Sequence, residues 1–330
     1  MKKSVIIFFL IITSLFGCSS NNNDIKQERV LSYKFANQKE AAECYLSNDD
    51  YFNNYSEYDI EYRTQSKDGT IESLKEFGAN QMRDFTDEEK GAINSAMDEI
   101  ETIIKKNGYH LPKIDKILFI KSTQNEEGGA VAYTHGTQIY MSNILSLYLR
   151  TNKQNHQKGL SILAHEIFHC LTRNNSEFRK DMYSLISFNI VEKDFDIPND
   201  IKRMVISNPD VEHHDAYAAF TINGKKKDCF LLNICTQPFE KKGDQYADHY
   251  EIILVPTNKD TDDKDFYYIE ESEDYWEVFG ENTKYITDPE ECLADNFGYA
   301  LVYGLDGSMK YENPEIIQAM IDLLNSDKYY

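Results

Sequence analysis

The pentapeptide His165-Glu166-Ile167-Phe168-His169 constrains this chain more than any other feature. Residues four apart lie on the same face of an α-helix, so His165 and His169 can present ring nitrogens to a single metal ion. Glu166 is next in the chain and can reach a water molecule at that ion. A catalytic zinc site needs nitrogen ligands, an open position for water and a neighbouring base. We therefore predict that His165 and His169 bind one zinc ion per chain and that Glu166 is the base.

The N-terminus has the pattern of a secretory signal. Two lysines precede an apolar run over residues 5–16, which is too short to span a bilayer. The stretch Leu-Phe-Gly-Cys that ends at Cys18 resembles the lipobox of bacterial lipoproteins. The resemblance implies that residues 1–17 are a signal peptide and that residues 18–30 are a tether with a lipid on Cys18. The protein would then be lipid-anchored to a membrane of the bacterial cell envelope, facing the periplasm or the surface. A plain cleaved signal with an incidental cysteine is the alternative.

The charge of the chain argues against one class of partner. The formal net charge is −21 at pH 7. Nucleic acid, which is itself a polyanion, is therefore not an expected partner.

Five cysteines follow Cys18, at positions 44, 170, 229, 235 and 292. An odd number outside the cytosol leaves at least one without a partner in the same chain. We expect buried free thiols, and a bridge between Cys170 and Cys292 is the less favoured alternative.

The rest of the chain divides into segments with different patterns. Residues 31–85 are polar and tyrosine-rich and form an N-terminal segment with weak periodicity. A helix is predicted from the capping box at Thr86 to the stop signal at Gly108, and strands are predicted over 113–121, 130–133 and 138–141. Residues 205–280 indicate a largely antiparallel β-rich insertion with a hairpin at Asn223-Gly224. Two helices are predicted at the C-terminal end, after residues 288 and 313.

The order helix, three strands and H-E-x-x-H helix resembles the upper subdomain of the zincin metallopeptidases. The resemblance implies an α+β fold over residues 86–330, with a mixed sheet, an active-site helix and the β-rich insertion before the helix that carries the third ligand. In that family the last strand before the active helix is an edge strand that binds substrate backbone by strand addition. The candidates for this strand are Ala130 to Tyr133 and Gln138 to Met141.

Two histidines do not complete a catalytic zinc site, which needs a third protein ligand. The metzincin branch of the zincins places glycine and histidine where this chain has Thr172 and Asn175, so that branch is excluded. The stretch 288–298 resembles instead an element of the gluzincins, in which a glutamate binds zinc from a later helix. Residues 170–290 separate the two parts of the site, a longer gap than in many gluzincins.

In the gluzincins an acidic residue follows the ligand glutamate by four positions and orients the first histidine. The resemblance implies Glu291 as the third ligand and Asp295 as the hydrogen-bond partner of His165. Glu290 competes with Glu291 for the role of ligand, but Ala294 stands four positions after it.

The remaining candidates are further from the motif. The tetrahedral oxyanion of peptide hydrolysis usually gains a second donor, for which Tyr285 is the first candidate and His249 the second. The run His213-His214-Asp215 favours a hydrogen-bonded structural role, since neighbouring residues of a strand face opposite ways. His110 and His135 are predicted to lie in solvated turns.

These patterns predict a lipid-anchored zinc peptidase that acts on a peptide or protein substrate. Glu166 would take a proton from water at the zinc and pass it to the leaving amine. The alternatives are a surface lipoprotein that keeps a zincin fold for binding or adhesion without catalysis, and a module in which zinc is only structural. The presence of Glu166 favours the peptidase, because a structural site has no use for a base.

Overall fold

The computed structural model of the protein describes residues 29–259 and 263–329. The predicted signal peptide, residues 1–17, and Cys18 lie outside these ranges. None of the helices in the described ranges has both the length and the apolar character needed to cross a membrane.

The fold belongs to the α+β class, as predicted, and contains a mixed sheet and a second, antiparallel sheet. Short 3₁₀ turns join some of the elements. The helices are α1 (Gln38–Leu46), α2 (Asp49–Asn53), α3 (Glu57–Thr64), α4 (Ile71–Ala79), α5 (Asp87–Asn107), α6 (Asn143–Arg150), α7 (Lys153–Asn174), α8 (Ser176–Ser184), α9 (Asn199–Lys202), α10 (Tyr275–Phe279), α11 (Pro289–Val302) and α12 (Pro314–Leu324). The strands are β1 (Tyr33–Phe35), β2 (Met82–Arg83), β3 (Ile117–Ser122), β4 (Ala132–His135), β5 (Gln138–Met141), β6 (Asn189–Ile190), β7 (Ala216–Ile222), β8 (Lys225–Cys235), β9 (Tyr250–Pro256) and β10 (Tyr267–Tyr268).

The first sheet has the strand order β1-β3-β5-β4, and β2 pairs with the end of β3. Strands β1, β3 and β5 are parallel, whereas β4 is antiparallel to β5 and forms the edge. The first sheet contradicts the expectation that the last strand before the active helix is an edge strand. The last strand before α7 is β5, which is interior, and the edge strand is β4, displaced by two residues from the predicted 130–133. The register explains the shift, because His135 pairs with Gln138 across a two-residue turn.

Alternate residues of the first sheet face two different helical layers. Ile117 and Phe119 belong to the large core that includes α5, α7 and α11. Leu118 and Ile120 belong to a second cluster with Tyr45 of α1 and its neighbours. This alternation follows from the two-residue period of a strand. Helices α1 and α4 of the N-terminal segment cover the face of the sheet that carries Leu118 and Ile120.

The second sheet has the order β10-β9-β8-β7-β6 and is antiparallel throughout. Strands β7 and β8 form the predicted hairpin, and both turn residues, Asn223 and Gly224, have positive φ. Such a turn matches the right-handed twist of the paired strands. One face of this sheet contributes Phe220 and Leu231 to the large core, and the other carries its own cluster, including Phe230 and Leu232. The sheet is therefore joined to the body of the protein through shared core.

Helix α5 has the predicted ends. The Thr86 side chain accepts a hydrogen bond from the backbone of Glu89, whose carboxylate bonds back to Thr86. Gly108 closes the helix with φ of 69°.

Candidate metal centre

The centre is built on two adjacent helices, α7 and α11. Gly298 of α11 lies so close to α7 that an added Cβ would be 2.6 Å from the carbonyl oxygen of Ser161. The absence of a side chain at Gly298 thus permits the close approach. Asp288 begins α11 by accepting a hydrogen bond from Glu290 N–H, and Pro289 takes the first helical position. This cap fixes the start of the helix at the residues that face α7.

His165, His169 and Glu291 converge on one point, although the chain places them far apart. Oε2 of Glu291 lies 3.1 Å from Nε2 of His165 and 3.7 Å from Nε2 of His169. Two atoms that each lie about 2.0–2.2 Å from the same zinc ion are separated by similar distances. The three residues are buried and form a group that could hold a metal ion.

Two atoms of this group are buried without a hydrogen-bond partner. They are Nε2 of His169 and Oε2 of Glu291. Buried polar atoms are normally satisfied, so each such atom needs an explanation. A cation between them would satisfy both, and two imidazole nitrogens with one carboxylate form a donor set that suits zinc. The residues present therefore fit the metal that the sequence predicts.

Each histidine is held from its far side by a carboxylate. Nδ1 of His165 lies 2.9 Å from Oδ1 of Asp295, the residue predicted for this role. Asp295 in turn accepts a hydrogen bond from the Thr283 hydroxyl. A bond at Nδ1 directs the Nε2 lone pair toward the metal position and fixes the tautomer.

Glu290 holds the second histidine in the same way. Its Oε1 lies 3.0 Å from Nδ1 of His169 and accepts the Thr172 hydroxyl, and its Oε2 accepts the Tyr183 hydroxyl at 2.6 Å. Glu290 was considered in the sequence only as a competing ligand. The structure directs it to the opposite side of the ring from Glu291, and no local pattern in the sequence indicates this.

Glu291 divides its two oxygens between different tasks. Oε1 accepts hydrogen bonds from the Tyr285 hydroxyl, at 2.9 Å, and from the Asn208 amide. Oε2 is thereby directed to the two histidines. The ring of Tyr285 stacks at 6.1 Å from that of His165, so Tyr285 lies beside this group and is bonded to Glu291. Among the hydrogen bonds of the described residues, none joins the His249 ring to this group.

Glu166 is buried beside the ligands. Its Oε2 accepts a hydrogen bond from the Thr134 hydroxyl at 2.7 Å, and Thr134 belongs to the edge strand β4. Burial raises the pKa of Glu166, and the two histidines oppose that shift. Glu166, His169 and Asp210 form a second group of close ligand atoms. Asp210 was not singled out in the sequence, where it stands in an irregular segment after Pro209.

The electrostatics of the group favour positive charge at its centre. Burial would lower the pKa of His169, but Asp210, Glu290 and Glu291 raise it to about 9. Burial would raise the pKa of Glu291, but the two adjacent histidines bring it below its ordinary value. The surrounding carboxylates thus stabilise a cation where the three ligands meet.

The prediction that His110 and His135 lie in solvated turns was wrong. His135 is only 4 % exposed and packs at 4.2 Å from the ring of Tyr51, because the end of β4 is covered by the N-terminal helices. His110 is half-buried, with Nδ1 at 2.9 Å from the carbonyl oxygen of Ser326. The prediction of two solvated turns therefore does not hold.

Two residues of the run His213-His214-Asp215 contact charged side chains. Asp215 makes a two-fold ion pair with Arg179, and His213 lies 3.3 Å from Asp194. His214 is buried. The five described cysteines are free, and four of them are buried as expected, whereas Cys44 is half-buried.

Comparison with protein-family models, with curated proteins and with solved structures gave no match for this chain.

Proposed function

We propose that this protein is a zinc-dependent peptidase with a zincin-like fold of the gluzincin type. The observation that carries the proposal is the convergence of His165, His169 and Glu291, with Glu166 buried beside them. The antiparallel edge strand β4 next to α7 supports the zincin-like assignment. The presence of Glu166 favours catalysis over a purely structural metal.

His165, His169 and Glu291 would hold the zinc, and Asp295 and Glu290 would fix the two rings. The zinc would act as a Lewis acid on the scissile carbonyl and lower the pKa of water. The Glu166 carboxylate, oriented by Thr134, accepts the proton of the attacking water and passes it to the leaving amine. Tyr285 is the candidate donor to the oxyanion, in which role its hydroxyl would leave Glu291 for the substrate.

Metal analysis of purified protein tests the first part. We expect about one zinc ion per chain, lost in His165→Ala. His156→Ala is a matched control, because His156 lies on the same helix and bonds to Glu99 outside the centre. Retention of zinc in His165→Ala would contradict the proposed ligand set.

Cleavage of a peptide library tests the second part. We expect chelator-sensitive cleavage, reduced on the order of a hundred-fold or more in Glu166→Gln, which should still bind zinc. Unchanged cleavage in Glu166→Gln would contradict the mechanism. Zinc binding without cleavage of any peptide by the wild type would support the binding or adhesion module instead.

We also propose that the protein is anchored to a membrane of the bacterial envelope by a lipid on Cys18. The lipobox resemblance of residues 15–18 is the support. Labelling with radioactive palmitate, followed by membrane fractionation, should give a labelled membrane protein. Cys18→Ser should lose both the label and the membrane association, since a lipid chain is what holds such a protein at the bilayer. Labelling of the Cys18→Ser protein would contradict this.

A further inference from the structure

The segment Ser207–Glu212, here called the strap, lies along the free side of the edge strand β4. Oδ1 of Asp210 accepts the backbone N–H of Thr134 at 2.7 Å. Oε1 of Glu212 accepts the backbone N–H of Gly136 at 3.3 Å. Thr134 lies in β4 and Gly136 lies in the turn that follows it, and the strap accepts a hydrogen bond from the backbone N–H of each.

The strap also reaches the proposed metal ligands. Oδ1 of Asp210 lies 3.9 Å from Nε2 of His169, and Asn208 donates to Glu291. Asp210 is 5 % exposed, so its carboxylate is enclosed between the edge strand and the ligands. The strap therefore crosses the space that separates β4 from the centre.

Both ends of the strap are fastened to other parts of the protein. At its start, Ser207 N–H donates to Asp59, and the Ser207 carbonyl accepts from the Arg63 guanidinium at 2.7 Å. At its end, Glu212 forms an ion pair with Arg173 of α7 at 3.1 Å. Asp59 and Arg63 at the Ser207 end are buried, whereas the Glu212 side chain is partly exposed. A polar contact with solvent nearby exchanges for water at modest cost, so the Glu212 end is the one that can be released more easily.

A cavity lies at each end of the strap. One, of about 320 Å³, is lined by Ala130, Ala132, Tyr285 and strap residues that include Asp210. The other, of about 570 Å³, is lined by residues at the far end of β4 and by Glu212. Both cavities adjoin β4 and the strap.

We propose that the strap closes the peptide-binding cleft of this protein and that an extended substrate must displace it from β4. This inference rests on the proposed function. A peptide that adds to the edge strand needs the Thr134 N–H, which now bonds to Asp210. The apparent affinity for such a peptide is its intrinsic affinity multiplied by the fraction of molecules in which the strap is already displaced.

Two zinc-directed probes of different length separate the strap from the metal. Acetyl-dialanine hydroxamate must occupy the cleft, whereas acetohydroxamate is too small to pair with β4. In full-length protein at equal zinc occupancy, Asp210→Ala should raise the ratio of the peptide-hydroxamate affinity to the acetohydroxamate affinity about ten-fold. Asp248→Ala, at an exposed aspartate, is the matched control and should change neither affinity. If Asp210→Ala does not fold, Glu212→Ala takes its place. It removes the contacts of Glu212 with Gly136 and Arg173 and should raise the same ratio of affinities.

Hydrogen exchange gives a readout that does not depend on activity. In the wild type, binding of the peptide hydroxamate should speed exchange over residues 207–212 while β4 stays protected. Slower exchange over 207–212 in the complex would overturn the proposal, because the strap would then be a fixed wall of the cleft. An equal gain for both hydroxamates would also overturn it, since Asp210 would then act on the metal alone.

Zinc occupancy distinguishes the two levels of the argument. In one outcome the wild type binds zinc and both hydroxamates, and neither Asp210→Ala nor Glu212→Ala changes either affinity. The proposed function then stands, and the strap proposal is overturned. If the wild type takes up no zinc, both the proposed function and the strap proposal are overturned.

Discussion

Oε1 of Glu290 lies 3.0 Å from Nδ1 of His169, on the opposite side of the ring from the proposed metal position. Neighbouring glutamates on one helix thus contact opposite nitrogens of the same imidazole. Glu291 faces Nε2, and Glu290 holds the ring at Nδ1.

Glu290→Gln should weaken zinc binding by about 10–100-fold, the usual effect of losing a carboxylate behind a ligand histidine. Competition with a chromophoric chelator measures this affinity. Glu277→Gln, at an exposed glutamate of α10, is the control and should leave it unchanged. If Glu290→Gln binds zinc as tightly as the wild type, the carboxylate is only a packing feature.

Gly298→Ala should destabilise the fold by about 1–3 kcal/mol, because its Cβ would clash with the backbone of Ser161 and force α7 and α11 apart. Gly91→Ala is the matched control. Gly91 lies on an exposed part of α5 with no atom near an added Cβ, so the change should stabilise by about 0.5–1 kcal/mol. Denaturant unfolding of both variants checks the two signs. Similar effects from both would contradict the close approach at Gly298.

Arg63→Met should cost about 3–5 kcal/mol in the free energy of unfolding, since Arg63 pairs with Asp59 and Glu127 and all three side chains are buried. The change would leave two carboxylates without their cation. Arg29→Met removes an exposed pair with Asp98 and should cost less than about 1 kcal/mol. Urea titration of both variants measures the difference. An equal loss in both would show that burial does not set the energy of the Arg63 network.

Glu126 should make the protein less stable as pH rises. Its side chain is fully buried, and burial raises its pKa from 4.5 to about 7, with opposition from hydrogen bonds such as that of Tyr133. Between these two values the folded chain binds more protons than the unfolded chain, so the free energy of unfolding falls with rising pH and levels above 7. The fall should be at most about 3 kcal/mol.

Glu126→Gln should flatten this slope and be more stable than the wild type at pH 8. Urea unfolding between pH 4.5 and 8 measures both curves. Parallel curves for Glu126→Gln and wild type would contradict the raised pKa, and Glu277→Gln should parallel the wild type.

Features set by neighbours in the chain could be predicted from the sequence. The capping box at Thr86, the stop at Gly108 and the hairpin at Asn223-Gly224 depend on local backbone geometry, and each stands where predicted. The pairing of His165 with His169 follows from helical periodicity alone. Glu291 and Asp295 entered through the family resemblance, and the structure brings both to His165.

Features set by contacts between distant segments could not be predicted. Nothing near Glu290 in the sequence indicates that Thr172 and Tyr183 hold its carboxylate. Asp210 stands in an irregular segment, so no period assigns it to the edge of a sheet. The burial of His135 depends on Tyr51, which reaches it from a segment with weak periodicity.

The position of the second sheet has a consequence for biosynthesis. Its strands bury one face in the core that also holds α7 and α11. A chain still on the ribosome presents His165 and His169 once residue 169 has emerged, but it lacks Glu291 until residue 291 follows. At a usual synthesis rate of about 5–20 residues per second, several seconds separate these events. The group of His165, His169 and Glu291 is therefore complete only after the segment between its members has been synthesised and packed into the core.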